Sequence, residues 1–189
     1  MRIFVLLWAG SQAAFWLAWG IGYFFLPDQS VRGAGLAFYL PLETLPFERR
    51  VAGIVLWNAV IAALVAGANL VRWGRLPLGV LPVVSYWVHY GLLLGTNSFA
   101  VPTLHRAAPG IATLLQRSGL FELTAYTLVA AATFEWGRWR QTGLLWGPLE
   151  RLHPQGLRRS HVLLLLLAML LLVGAAVREA ATWMGVTGG

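Results

Sequence analysis

The sequence predicts an all-α, polytopic helical membrane protein with about five transmembrane helices plus short interfacial or re-entrant helices, and three observations predict it. Of 189 residues, 58% are hydrophobic and only 11% are charged, with a mean hydropathy of +0.68. A soluble domain carries roughly 25% charged residues, so a chain this poor in charge must face lipid over much of its area. Five apolar stretches approach the length of about 20 residues that a helix needs to cross a hydrocarbon core. The charges gather between those stretches.

The net charge is +7, and every positive side chain is an arginine. The arginines lie between apolar runs rather than along one polar face, which argues for loop charges that set orientation and meet anionic headgroups, and against a nucleic-acid surface. The chain has no cysteine, which excludes disulfides and Cys-ligated zinc.

The first expected span is 3–26, bounded by Arg2 and by Pro27-Asp28. It is too long for a signal-peptide core and shows no evident cleavage site. Trp8, Gln12, Trp16, Trp19 and Tyr23 form a stripe on it, read as a packing face with interfacial aromatics. The prolines and charges of 28–50 exclude a span there, and Leu36 to Leu45 reads as a short interfacial piece.

The second span covers 51–71, with Asn58 and Asn69 on one face. The third covers 76–99, where Pro82 should kink the helix unless it starts later. Residues 100–118 read as a loop with a half-helix at Ile111 to Gln116. The fourth span is 119–136 and the fifth 162–184. Between these two lies the longest polar stretch, 137–160, where Trp136, Trp139 and Trp146 border or interleave with arginines. This pattern suits a segment lying on a headgroup layer. With no repeat or linker evident, 1–189 reads as one helical membrane domain. Arginines favour the side of the N-terminus, 72–75 and 137–160, so the positive-inside rule puts the N-terminus in the cytoplasm of a multipass cell-membrane protein.

An ionisable side chain at a helix centre costs about 2.5–3.5 kcal/mol on the insertion scale and needs a partner or a wet cavity. Glu122 shares a face with Gly119, Tyr126 and Thr133. It reads either as a proton- or substrate-coupled carboxylate or as a buried anchor accepting hydrogen bonds from a neighbouring helix. The anchor is preferred, because a lone carboxylate without an intramembrane cation is no relay. Glu179 reads as a second anchor on a small-residue face with Ala168, Ala175 and Thr182, with Arg178 snorkelling to the surface. Asn58, Asn69 and Asn97 read as cross-helix glue, and His89 as a satisfied hydrogen-bonding group. Glu135, three residues before Arg138, suits a surface ion pair.

No metal or cofactor site is expected. The one E-x-x-H, Glu150 to His153, sits in a basic loop, whereas a di-metal bundle site needs two such motifs and further carboxylates. No catalytic residues are expected either: G-x-S-x-G and paired intramembrane aspartates are missing, and a Walker loop or a Schiff base needs a lysine that the chain lacks.

Two stretches carry a resemblance. One is Gly119-Leu120-Phe121-Glu122-Leu123-Thr124-Ala125, followed by mostly small and apolar residues to Gly137. The other is Leu171-Leu172-Val173-Gly174-Ala175-Ala176-Val177-Arg178-Glu179-Ala180. With the weaker Trp57-Asn58 and Asn97, they are similar to the stage II sporulation protein M family of multipass membrane proteins, over roughly 50–185. The chain departs from that pattern at Ser118, where many members have His, and at Ser98, where a Gly would follow the Asn. The resemblance implies a five-span helical fold with Glu122 and Glu179 as its marked residues, not a sporulation role. The sporulation member acts in a complex that anchors cell-wall-degrading enzymes, and some relatives look like the membrane part of ABC-type exporters.

The expected function is a non-enzymatic scaffold or anchor subunit in a membrane or envelope complex. The alternative is a permease-like transport subunit driven by a separate ATPase, docked through Arg138, Arg140, Arg151, Arg158 and Arg159. An intramembrane enzyme using Glu122 and His89 is the third reading. The expected partners are the lipid bilayer and other membrane or envelope proteins, with a cytoplasmic ATPase and a second copy of the chain as candidates, and no nucleic acid.

Overall fold

The computed structural model describes residues 2–32, 45–99, 105–143, 147–153 and 156–187. The expected interfacial piece at Leu36 to Leu45, all but its last residue, and Trp146 lie outside them. The chain is mostly helical. Its helices are α1 (Arg2–Phe25), α2 (Phe47–Ala68), α3 (Val80–Gly95), α4 (Ile111–Leu115), α5 (Gly119–Ala132) and α6 (Arg159–Thr187). Three are long and apolar enough to cross a membrane: α1, α2 and the Arg159–Thr182 part of α6, with mean hydropathies of 1.4, 2.2 and 2.5. They expose large apolar side chains along their outer faces, among them Phe25 at 79%, Leu56 at 68% and Leu170 at 71%. In water such a belt would be an aggregation surface.

α5 is the central helix. It packs against α1, α2, α3 and α6, and every residue from Ala125 to Ala132 is buried. Its sequence explains this placement: small and apolar side chains on all sides make a helix that can be enclosed by others. α3 and α5 are shorter than the expected third and fourth spans. Leu76–Pro77 is drawn into a strand, so α3 begins at Val80 and Pro82 falls in its first turn, where a missing N–H costs nothing. That is the later start that removes the kink.

α3 lies along α1 at the closest helix contact. A Cβ on Gly91 would stand 2.5 Å from the Phe15 carbonyl oxygen, and one on Gly95 would stand 2.5 Å from that of Trp19. Gly91-Leu92-Leu93-Leu94-Gly95 is thus a small-xxx-small contact that lets two backbones approach. On α1 the residues facing it are Phe15, Ala18, Trp19 and Gly22, all buried. Of the expected aromatic stripe, only Trp19 is buried, and Trp16 stacks on it with ring centroids 5.2 Å apart.

The all-α expectation fails at the polar connections. β1 (Val71–Trp73), β2 (Leu76–Pro77), β3 (Trp139–Gln141) and β4 (Leu149–Arg151) form a four-stranded sheet of order β2-β1-β3-β4. β1 pairs parallel with β3, and the outer pairs are antiparallel. The stretch read as lying on headgroups is therefore in part a hairpin, held by backbone bonds to the segment after α2. The physical reason is that polar residues leaving two neighbouring helix ends satisfy each other's backbone groups before water does. Paired residues share a face: Arg72 and the buried Pro77 turn towards the helices, while Trp73, Leu76, Trp139, Leu149 and Arg151 turn outwards and are exposed.

Replacing Gly91 or Gly95 by Leu should lower the melting temperature in mild detergent by many degrees, because backbone on α1 must move. Gly67→Ala meets nothing within 4 Å and should leave it unchanged or slightly raised. Tryptophan fluorescence during heating reads both; equal melting of Gly91→Leu and the parent would contradict the close α1–α3 contact.

A candidate polar site between three helices

Asn58, on the buried face of α2, lies across from α5. Its Nδ2 donates to Glu122 Oε1 at 3.2 Å, and its Oδ1 accepts from the Tyr126 hydroxyl at 2.7 Å. Glu122 and Tyr126 are one turn apart on α5, which puts both within reach of one amide. From α6, Glu179 comes close enough to act on the Glu122 carboxyl. Four of the residues expected to matter inside the membrane thus meet: Asn58, Glu122, Tyr126 and Glu179. The carboxylate that reads as alone in the sequence thus has a second carboxyl beside it.

The tyrosine is held by its ring as well. Tyr126 packs beside Tyr86 at 5.9 Å between centroids, and Tyr90 of α3 fills the space over Gly119, where a Cβ would overlap its ring. Gly119 is therefore required by a neighbour's side chain rather than by its own backbone angles. Thr124 and Thr127 accept from Trp8 Nε1 at 3.2 Å and Trp87 Nε1 at 3.1 Å, so α5 is tied to α1 and α3 by hydroxyls as well.

The other expected residues sit elsewhere. Asn69 works at the far end of α5: its Nδ2 donates to Thr133 Oγ1 at 2.7 Å and to the Ala130 carbonyl at 2.9 Å, and its Oδ1 accepts from the Gly79 N–H at 2.9 Å. Asn97 is explained by the end of α3. It adopts φ 52, and the Ser98 N–H bonds back to Leu93 while its own N–H bonds to Leu94. This is the left-handed helix stop that Asn tolerates. His89 is half-buried on α3 and is not brought into the polar network.

Arginines do more than set orientation. Arg72 Nη2 donates to the Phe134 carbonyl beyond the end of α5 at 2.7 Å. Arg106 Nη1 donates to Leu26 at 2.8 Å just past α1, and its Nε pairs with Asp28 at 2.9 Å. Arg178, expected to snorkel, donates to the Leu115 carbonyl at 2.7 Å in an exposed bond and lies 5.5 Å over the Phe121 ring. Each cation meets carbonyls left over at a helix C-terminus. Of the docking arginines, Arg140 pairs with Glu150 at 2.5 Å across the β3–β4 ladder, while Arg158 lies 3.7 Å from Glu135, displacing the expected Glu135–Arg138 pair. Arg138, Arg151 and Arg159 are exposed. Among the described residues no group of three or more His, Cys, Asp or Glu side chains is placed to hold a metal ion.

Sequence reasoning missed Gly91, Gly95 and the arginine caps. The G-x-x-x-G spacing was a usable signal. Nothing in the sequence pairs Arg72 with residue 134.

Glu122→Gln keeps an acceptor for Asn58 and a group that can pair with Glu179, so stability in detergent should fall by less than about 0.5 kcal/mol. Glu122→Leu strands the Asn58 amide and should cost about 1–3 kcal/mol. Denaturation in mild detergent distinguishes them, and equal loss in both variants would contradict the anchoring role.

Comparisons with protein-family models, with curated proteins and with solved structures gave no match, so the site is read from its own geometry.

Proposed function

We propose that the chain is a non-enzymatic membrane subunit that crosses the bilayer five times, with its N-terminus in the cytoplasm, and acts as a scaffold or anchor in a membrane or envelope complex. The observation that carries this reading is the cluster of Asn58, Glu122, Tyr126 and Glu179. Asn58 bonds both Glu122 and Tyr126, and Glu179 of a third helix comes to the same carboxyl, as packing groups do.

The arrangement of the ends supports five crossings. The start of α1, the segment between α2 and α3 and the segment between α5 and α6 meet around the sheet: Ile3, Arg72, Glu135 and His153 line one cleft there. The opposite ends meet too: Gln29 donates from its N–H to the Thr96 carbonyl at 2.6 Å, and Arg106 reaches Asp28. α3 at 16 residues and α5 at 14 span about 24 and 21 Å, short of a 30 Å core. α5 is enclosed by protein, which relieves it of matching the lipid, and local thinning or tilt accommodates α3. The sheet end carries Arg2, Arg72, Arg75, Arg138, Arg140, Arg151, Arg158 and Arg159, which by the positive-inside rule faces the cytoplasm.

One observation favours the transport reading as a second choice. The outward sheet face, with Trp73, Trp139 and Leu149 beside Arg151, is the kind of ordered, aromatic and basic surface on which a separate ATPase subunit could dock.

Two measurements test these readings. The chain has no cysteine, so single cysteines report sidedness cleanly. Cysteines at 75 and 151 should react with a membrane-impermeant maleimide only after the cells are opened, and those at 28 and 49 in intact cells. The reverse pattern would overturn the orientation, and reaction of all four in intact cells would overturn the five crossings. A mild-detergent pulldown with mass spectrometry should recover an envelope protein; recovery of an ATP-binding chain would replace the scaffold with the transport subunit.

A further inference from the structure

A cleft of about 310 Å³ lies where the sheet meets the helices, lined by Ile3, Arg72, Phe134, Glu135, Gly137, Leu152 and His153. Its walls are of two kinds. Ile3, Phe134 and Leu152 are apolar. Arg72 and Glu135 bring opposite charges that the protein leaves incompletely matched. Arg72 uses Nη2 on the Phe134 carbonyl, and its Nε is shielded from water with no acceptor. A guanidinium has five N–H donors in a rigid fork, suited to an oxyanion. Glu135 Oε2 is likewise shielded and accepts no hydrogen bond; the nearest cation, Arg158 Nη2, stands 3.7 Å away on a side chain that is 61% exposed. A bare anion would satisfy Arg72 and be repelled by Glu135, and a bare cation would meet the reverse. A ligand carrying both charges a few ångströms apart satisfies both.

We infer that this cleft binds a phosphoethanolamine group, with its phosphate at Arg72 and His153 and its ammonium at Glu135. The inference rests on the five-span reading, which sets the start of α1 and the end of α5 at headgroup depth. The apolar wall then receives the glycerol end of a phosphatidylethanolamine. The primary ammonium donates N–H bonds to Glu135, which the trimethylated headgroup of phosphatidylcholine cannot do. Glu135 is therefore the specificity-determining residue and Arg72 the phosphate-binding one.

The test uses the full chain in nanodiscs built from equal parts phosphatidylethanolamine, phosphatidylcholine and phosphatidylglycerol, with mass spectrometry of the lipids retained after delipidation in mild detergent. One charge-assisted hydrogen bond of about 1.5 kcal/mol corresponds to roughly tenfold enrichment of phosphatidylethanolamine over phosphatidylcholine. Glu135→Gln removes a single 3.7 Å ion pair to the exposed Arg158 and should abolish that preference while phosphate lipids are still retained. Arg72→Lys keeps the charge but loses the fork, and should lower retention of all three. Soluble phosphoethanolamine that raises the melting temperature of the detergent-solubilised protein would make the ligand a free metabolite; no effect would leave the lipid as its source. Equal retention of the three lipids by the parent, or a preference unchanged in Glu135→Gln, would overturn the site. Failure to enter nanodiscs of any composition would overturn the five-span reading and the site together.

Discussion

The Asn58 amide ties α2 to α5 through two hydrogen bonds of opposite sense, giving one to Glu122 and accepting one from Tyr126. Apolar packing alone does not choose among the many ways in which helices of similar hydrophobicity can pair in lipid, because lipid tails are as apolar as leucine. Polar groups that have no solvent to turn to do choose. Asn58 fixes the rotation of α2 against α5, and Glu179 brings α6 to the same carboxyl. Asn69 repeats the device at the other end of α5, joining the C-terminal turn of that helix to the N-terminus of α3. With both ends of the central helix tied, the small residues between them are left to pack closely.

Helix ends impose the second constraint. Every helix leaves carbonyls unpaired at its C-terminus, and in a thin, tightly connected bundle few of them reach bulk water. Here arginines drawn from distant parts of the chain answer them. Arg106 reaches back to the end of α1, Arg72 to the end of α5 and Arg178 to the short α4. The β1–β3 pairing does the same for the backbone of the two polar connections. The arginines of the loops are thus a structural requirement in their own right.

How far the sequence discloses this depends on whether a feature is local. The three long apolar helices, the half-helix at Ile111–Leu115 and the candidacy of Asn58 and Glu122 follow from periodicity and from the cost of a polar group in lipid, both legible in one stretch of chain. Glu122 and Glu179 each stand out in the sequence, but their meeting depends on how α5 and α6 rotate, which no local pattern records. The sheet is invisible for the same reason. β1 and β3 have three residues each, too few for an alternation to register, and their partner is sixty-odd residues away. The Gly91–Gly95 contact was legible in principle and is a matter of spacing alone.

The account stands on the claim that Asn58 and Glu122 act as one structural unit. A double-mutant cycle of Asn58→Ala and Glu122→Ala, read by denaturation in a single mild detergent, tests it most directly. The account predicts a coupling of about 0.6 kcal/mol or more, the scale of an interhelical hydrogen bond in a membrane protein. Losses that add to within about 0.3 kcal/mol would contradict it and return Glu122 to the list of groups that could face a path through the membrane.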